Sequence, residues 1–234
     1  TRGSCEVTAV FLQVRLDSST LPGKALLDLG GRTVVEHAMD SLASVPADVR
    51  AVLTDDTSAA ALRLFAPACG FELYKGPRDD VLRRFAMAAV HFGVDTVIRA
   101  TGDNPLVSSD VAAATLELAR DTRADYAALT GTPLGTGVEV LATSALLEAD
   151  REANEASERE HVSAFLYRRP SRYSVVYRDA PSRWLVPEGR KGSKWAVTLD
   201  TPDDYSRLRV IYESLYHESP IEISDLVRWL RTHT

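Results

Sequence analysis

Three short stretches of this 234-residue chain carry residue types that could do chemistry together. The first is Arg15-Leu-Asp-Ser18-Ser-Thr20-Leu-Pro22-Gly23-Lys24, which follows an apolar run from Val7 to Val14. Arg15 and Lys24 supply fixed positive charge, Ser18, Ser19 and Thr20 supply hydroxyl donors, and Gly23 lets backbone N–H groups approach an anion closely. Two cations on a hydroxyl-rich turn at the end of a first strand suit a polyphosphate. An exposed loop with two ordinary surface cations fits the same spacing. The turn is not a P-loop, because G-x-x-x-x-G-K-[ST] is absent.

The second stretch is Arg99-Ala-Thr101-Gly102-Asp103-Asn104-Pro105. A carboxylate on a Gly-Asp turn at a strand end is well placed to hold Mg²⁺, which uses few protein ligands and takes phosphate oxygens as well. Asp103 could equally brace the approach to a helix starting near Ser109. The third stretch is Leu199-Asp200-Thr201-Pro202-Asp203-Asp204-Tyr205. Here Thr201 reads as the cap of a helix with Pro202 in first position and acidic residues in its first turn. That structural role does not require Asp200.

Alternating elements position these stretches. Strands are predicted at Val7–Val14, Val49–Thr54, Phe71–Lys75 and Thr96–Ala100. Helices are predicted at Thr33–Ser44, Ser58–Ala66, Asp79–His91 and Ser109–Arg120, with Thr33, Ser58, Asp79 and Ser109 or Asp110 as caps. Such alternation implies a parallel sheet covered on both faces. Ligands of such sheets bind outside the carboxyl ends of the strands. The turns after Val14, Thr54, Lys75 and Thr101 should therefore converge on one crevice. From Asp125 the pattern loosens, with short strands at Tyr126–Leu129, Val138–Leu141, Tyr173–Tyr177 and Trp195–Leu199, and helices at Ala142–Ala149 and Ser157–Arg168. A basic Pro/Gly loop, Pro181–Ser193, precedes closing helices at Pro202–Tyr216 and Ile223–Arg231. No linker or repeat divides the chain, so one domain over residues 1–234 is expected.

A net charge of −6 argues against a general nucleic-acid surface but allows a local cationic pocket for a small anion. No apolar stretch approaches the roughly 20 residues that span a bilayer. The polar Thr1–Cys5 segment reads as no signal peptide. Cys5 and Cys69 have no metal-like spacing, and a reduced, cytoplasmic protein is the simplest reading. No Ser-His-Asp or Cys-His pattern demands a protein nucleophile.

The string V-R-L-D-S-S-T-L-P-G-K-A-L-L-D-L-G-G-R-T-V-V-E-H resembles the opening of the CMP-sugar-acid synthetase (cytidylyltransferase) family, and most nearly its branch named for spore coat polysaccharide biosynthesis. R-A-T-G-D-N-P and D-T-P-D-D-Y match further family signatures, and the matching pieces run in family order from Val7 to Tyr205. The resemblance implies an α/β Rossmann-like nucleotidyltransferase fold, three-layer α/β/α with a mainly parallel mixed sheet. Residues from about 125 to 200 would then form a less regular acceptor-binding and dimerisation part. It implies transfer of CMP from CTP to a sugar acid or related small anionic acceptor, with Mg²⁺ as cofactor.

On that resemblance Arg15, Lys24 and Asp103 are the catalytic candidates, and Asp103 with Asp200 would hold the metal. Leu12, Gln13, Val14, Arg15, Ser18, Gly23, Lys24, Thr54, Gly76, Asp79, Arg99, Thr101 and Gly102 would contact the nucleotide. Asn104, Gly137 and Glu139 would contact the acceptor, although a strand carboxylate such as Glu139 could as well bridge a loop. Asp80 reads as a helix N-terminal acid, and His161 in Glu160-His161-Val162 as packing or a local hydrogen bond. A homodimer is implied, with Val162–Tyr167 and Trp184 as candidate contacts. The chain departs from the family at Thr20, where the pattern A-R-x-x-S-x-R-L-P-G-K has a second Arg. Another nucleotide, or a phosphonate or sugar-phosphate acceptor, is therefore an alternative, as is a nucleotide-binding relative without turnover.

Overall fold

The computed structural model describes residues 6–17, 20–187 and 191–233. In chain order the elements are β1 (Thr8–Gln13), β2 (Asp28–Leu29), β3 (Arg32–Thr33), α1 (Val34–Ala43), β4 (Val49–Thr54), α2 (Asp56–Leu62), α3 (Phe65–Ala68) and β5 (Glu72–Lys75). Then follow α4 (Val81–Phe92), β6 (Thr96–Thr101), α5 (Ser109–Thr122), β7 (Tyr126–Thr130), β8 (Glu139–Ala142), α6 (Thr143–Glu152), α7 (Ala156–Glu160) and α8 (Ala164–Tyr167). The chain closes with β9 (Val175–Asp179), α9 (Pro202–Leu215) and α10 (Ile223–His233).

β1 is apolar on both faces because it sits in the middle of the sheet, paired in parallel with β4 on one side and β6 on the other. Its side chains alternate between two cores. Val10 and Leu12 pack with Met39, Leu42 and Leu116 from α1 and α5. Ala9 and Phe11 point the other way, onto Phe85, Ala88 and Leu146 from α4 and α6. This period of two is what makes the molecule three layers deep. The seven-stranded sheet has the order β5-β4-β1-β6-β8-β7-β9. It is parallel from β5 to β6; β8 then runs antiparallel to both β6 and β7, and β9 returns parallel to β7. The mainly parallel mixed sheet implied by the sequence is the observed one. A third core lies beyond α1, where Trp184, Trp195 and Leu199 pack on Leu208, Ile211, Leu226 and Leu230 of α9 and α10.

Local chemistry sets the helix starts. Thr33 and Glu36 form a reciprocal capping box on α1, as do Thr201 and Asp204 on α9, which has Pro202 in its first turn. Three predicted caps move: Asp55 replaces Ser58, Asp80 replaces Asp79, and Ser108 replaces Ser109 or Asp110. The helix expected over Ser58–Ala66 is two short helices, α2 and α3. The one expected over Ser157–Arg168 is also two, because the chain leaves the helix at His161 (φ −99°, ψ 85°). That break lets the Ser163 hydroxyl donate to Glu139 on β8.

Trp195–Leu199 is not a strand. It lies extended against a turn, with Val197 N donating to Leu134 O at 2.7 Å. Gly135, at φ +104°, lets that turn approach: a Cβ there would meet the Val197 and Thr198 backbone at 3.0 Å.

Of the candidate dimer contacts Val162–Tyr167 and Trp184, Tyr167 is half-buried, while Val162, Phe165, Leu166 and Trp184 are corrected. They are buried in the chain's own cores, with Val162 at 0% and Trp184 at 5% exposure. His161, read as packing or a local hydrogen bond, is exposed at the end of α7, which rules out the packing alternative. Among the described residues no helix is long and apolar enough to cross a membrane.

Candidate active site

The parallel strands β1, β4, β5 and β6 end on the same edge of the sheet, and two cavities open above that edge. The smaller, about 210 Å³, is lined by Gln13, Val14, Arg15, Lys24, Thr101, Asp103 and Glu160 among others. The larger, about 590 Å³, lies over β6, β8 and β7 and includes Arg99, Asn104, Gly137 and Glu139 in its wall. Thr101 lines both, so the two cavities adjoin at the end of β6.

Lys24 is the centre of the smaller cavity. Gly23 reaches φ +68° and starts the single 3₁₀ turn that turns Lys24 inward, where it is only 6% exposed. Its Nζ donates to Leu199 O at 2.7 Å, lies 2.6 Å from Asp103 Oδ2 and lies 3.1 Å from Asp200 Oδ1. All three ammonium protons therefore have protein acceptors. Burial opposes the charge, but the carboxylates of Asp103 and Asp200 outweigh it, and the Lys24 pKa lies above its ordinary value. Burial likewise opposes the Asp200 charge; hydrogen bonds from Lys191 and Lys24 reverse the effect and lower its pKa. Lys191 Nζ sits 2.8 Å from Asp200 Oδ2.

Two carboxylates from turns almost a hundred residues apart thus converge on one cationic point. Both are hard oxygen donors of the kind Mg²⁺ takes together with phosphate oxygens, Asp103 lines the smaller cavity, and Lys24 holds the point between them.

Gly102 allows that convergence. Its N–H donates to Gln13 O at 2.8 Å, and a Cβ there would lie 2.5 Å from Val14 Cγ2. Arg15 stands at the cavity mouth with its Nε 2.9 Å from Asp17 Oδ1. Asp17 also pairs with Arg78, which ties the turn after β1 to the turn after β5.

In the larger cavity Arg99 Nη1 donates to Glu139 Oε2 at 2.6 Å and Nη2 to Gln13 Oε1 at 3.2 Å, while its buried Nε has no partner. Glu139 also accepts from Tyr126 OH at 2.9 Å and from Ser163 Oγ at 2.8 Å. Glu139 bridges elements, as its structural reading expected, and it also lines the larger cavity. Asn104 Nδ2 donates to Thr101 Oγ1 at 2.7 Å, which fixes the turn after β6.

Several sequence candidates lie elsewhere. Leu12 is 0% exposed, with its backbone used by β4 and β6, so it belongs to the core and not to the cleft. Thr54 is also wholly enclosed, with an unpartnered Oγ1, and acts through its carbonyl, which accepts from Gly76 N at 3.0 Å. Asp79 points outward with its side chain 91% exposed. Asp80 is the α4 cap and is gripped by Arg159, in keeping with its structural reading. Ser18 lies outside the described residues.

Glu160 and Asp17 carry no role in the sequence reading, and Lys191 enters it only within the basic Pro181–Ser193 loop. Glu160 reaches the cavity because Arg159, its neighbour, clamps Asp80 and Asp150. The adjacency Arg159-Glu160 was the available signal.

A family model for cytidylyltransferases matches residues 9–214. The chain belongs to that family. It is a nucleotidyltransferase of the CTP-using kind. Among relatives, it is 27% identical over 227 residues to the spore coat polysaccharide biosynthesis protein SpsF of Bacillus subtilis, covering 94% of this chain and 92% of that protein. Its fold is similar to that of a cytidylyltransferase from Leptospira borgpetersenii, with a TM-score of 0.85 at 22% identity over 97% of this chain and 95% of the other. A CMP:2-keto-3-deoxy-manno-octonic acid synthetase solved with CTP shares the fold more distantly, with a TM-score of 0.65 at 15% identity over 89% of this chain and 99% of the other.

Proposed function

We propose that this cytidylyltransferase transfers CMP from CTP to an oxygen of a small anionic acceptor, of the sugar-acid kind, and releases pyrophosphate. The observation that carries the reading is the convergence of Asp103 and Asp200 on Lys24, directly beside Arg15 and next to a second, roomier cavity. The triphosphate occupies the smaller cavity and the acceptor the larger one.

The acceptor oxygen attacks the α-phosphorus and loses its proton to solvent. The bond from that phosphorus to the bridging oxygen breaks, and pyrophosphate leaves with the electron pair. No protein nucleophile takes part. The chain's residues position two anions against each other and offset their charge. Lys24 keeps the two carboxylates converged and places a buried positive charge at the phosphates. Arg15 turns from Asp17 to the triphosphate. Asp103 and Asp200 would hold Mg²⁺, which when bound neutralises phosphate oxygens and polarises the α-phosphorus. Arg99, expected on the nucleotide, lines the larger cavity and not the smaller one, so it belongs to the acceptor side, and Glu139 fixes its guanidinium.

Pyrophosphate release across the four nucleoside triphosphates, with sugar-acid, sugar-phosphate and phosphonate acceptors, tests the reading. CTP with a sugar acid is the expected productive pair. Release from another triphosphate alone, or binding of CTP with no product for any acceptor, would overturn it.

A further inference from the structure

Arg84, in the first turns of α4, has the largest fully enclosed side chain among the described residues, at 0% exposure. Nη1 donates to Pro77 O at 3.0 Å, while Nε and Nη2 have no partner. Among the described residues no carboxylate forms an ion pair with it. Asp55 attracts it electrostatically, but Asp55 already accepts from Thr57 and Ser58. Asp80 attracts it and Arg15 repels it. A buried guanidinium with unmet donors is destabilising, and apolar replacements of such groups are often neutral or stabilising. Its helix neighbours Val81, Leu82 and Phe85 show that the position would accept an apolar side chain. The cost of Arg84 calls for a return elsewhere.

Its contacts indicate where. Besides Pro77, it underlies Gly76: a Cβ on Gly76 would meet Arg84 Cγ at 2.8 Å. Gly76 N is bonded to Thr54 O, so the turn after β5 rests on β4 on one side and on Arg84 beneath. The sheet order β5-β4-β1-β6-β8-β7 gives this turn its place in the reaction. The carboxylate site is at the end of β6, and the larger cavity occupies the β8 and β7 side. With the acceptor on that side, the nucleoside half of the donor must extend over β1 towards β4 and β5. Adjacent strands are about 4.8 Å apart, so β5 is about 14 Å from β6, which is within the reach of a nucleotide.

We propose that Arg84 is a positioning residue for the nucleotide, holding the Gly76–Pro77–Arg78 turn in the shape that receives the nucleoside end. The inference rests on the reading of this cleft as the nucleotide site.

The test compares wild type with Arg84→Met and Arg84→Lys by urea unfolding, direct binding of Mg·CTP without acceptor, CTP-against-UTP preference, and KM for each substrate. Arg84→Met is expected to be as stable as wild type or more so. It should bind CTP about ten-fold or more weakly, discriminate less against UTP, and keep its acceptor KM. Arg84→Lys should recover part of the CTP affinity. A purely structural Arg84 gives the opposite pattern, with lost stability and unchanged CTP binding by the folded fraction, and that result overturns the inference. If Arg84→Met does not fold, Gly76→Ala presses on the same contact: weaker CTP binding with unchanged acceptor KM supports the inference, and unchanged CTP binding overturns it. A wild-type protein that binds no nucleoside triphosphate overturns the proposed function and this inference together. Equal CTP binding by wild type and Arg84→Met overturns the inference alone.

Discussion

Replacing Asp55 by Asn should remove a pH-dependent part of the stability and loosen the turn that carries Arg15. Asp55 caps α2 and is 1% exposed. Its carboxylate accepts from Thr57 N at 2.8 Å, Ser58 N at 2.9 Å and Ser58 Oγ at 2.9 Å, and from the Thr57 hydroxyl. Burial alone would raise its pKa, but the hydrogen bonds from Thr57 and Ser58 reverse this and bring it from 3.8 to about 2. That gap corresponds to about 2 kcal/mol of stability. Because the folded value lies below the unfolded one, the contribution is fully present above the unfolded value of 3.8 and disappears as pH falls through about 2. Asn keeps a capping oxygen but no charge. Urea unfolding of both proteins at several pH values checks this, since the other carboxylates titrate alike in each and cancel in the difference. Wild type should exceed Asp55→Asn by about 2 kcal/mol near neutrality, and the excess should vanish towards about pH 2. A difference that does not change with pH, or none at neutral pH, refutes the argument. Ser58 Oγ also accepts from Leu16 N at 3.2 Å, so the same variant should raise the KM for CTP.

Gly102→Ala would drive a Cβ to 2.5 Å from Val14 Cγ2 and 3.3 Å from Val35 Cγ2. Overpacking of this kind costs about 1–3 kcal/mol. Because the next residue is Asp103, turnover should fall more than thermal unfolding of the variant explains. Glu139→Ala leaves the part-buried Arg99 guanidinium without its carboxylate partner. Steady-state kinetics should show a raised acceptor KM and an unchanged KM for CTP; an equal rise in both would contradict the assignment of the two cavities.

The strand-end turns were legible in the sequence because each carries its chemistry where a parallel sheet delivers it. Arg15, Lys24, Thr101 and Asp103 meet in one cavity for that reason. Long-range pairing was not legible. Nothing local shows that Lys24 reaches Leu199 O and Asp200, 175 and 176 residues away. Trp195, Val197 and Leu199 alternate inward as a strand would, at 8%, 2% and 1% exposure, yet the backbone partner of Val197 is a turn at Leu134. The pattern reported burial correctly and pairing not at all. Ser157–Arg168 reads as one helix because helical spacing cannot register the break at His161, after which Ser163 bonds Glu139 on a distant strand. Arg84 follows Arg83 in a sequence that looks like an ordinary charged helix face, and only the packed structure separates the exposed arginine from the enclosed one.

On the proposed function, Asp103 and Asp200 form the metal-dependent centre of nucleotidyl transfer. The most direct measurement is CTP-dependent pyrophosphate release, with a productive acceptor, as Mg²⁺ is titrated into wild type, Asp103→Asn and Asp200→Asn. Turnover should require Mg²⁺ in wild type, be lost in Asp103→Asn and fall steeply in Asp200→Asn, with all three proteins unfolding cooperatively as folded domains. Full CTP-dependent pyrophosphate release by a folded Asp103→Asn protein would contradict it.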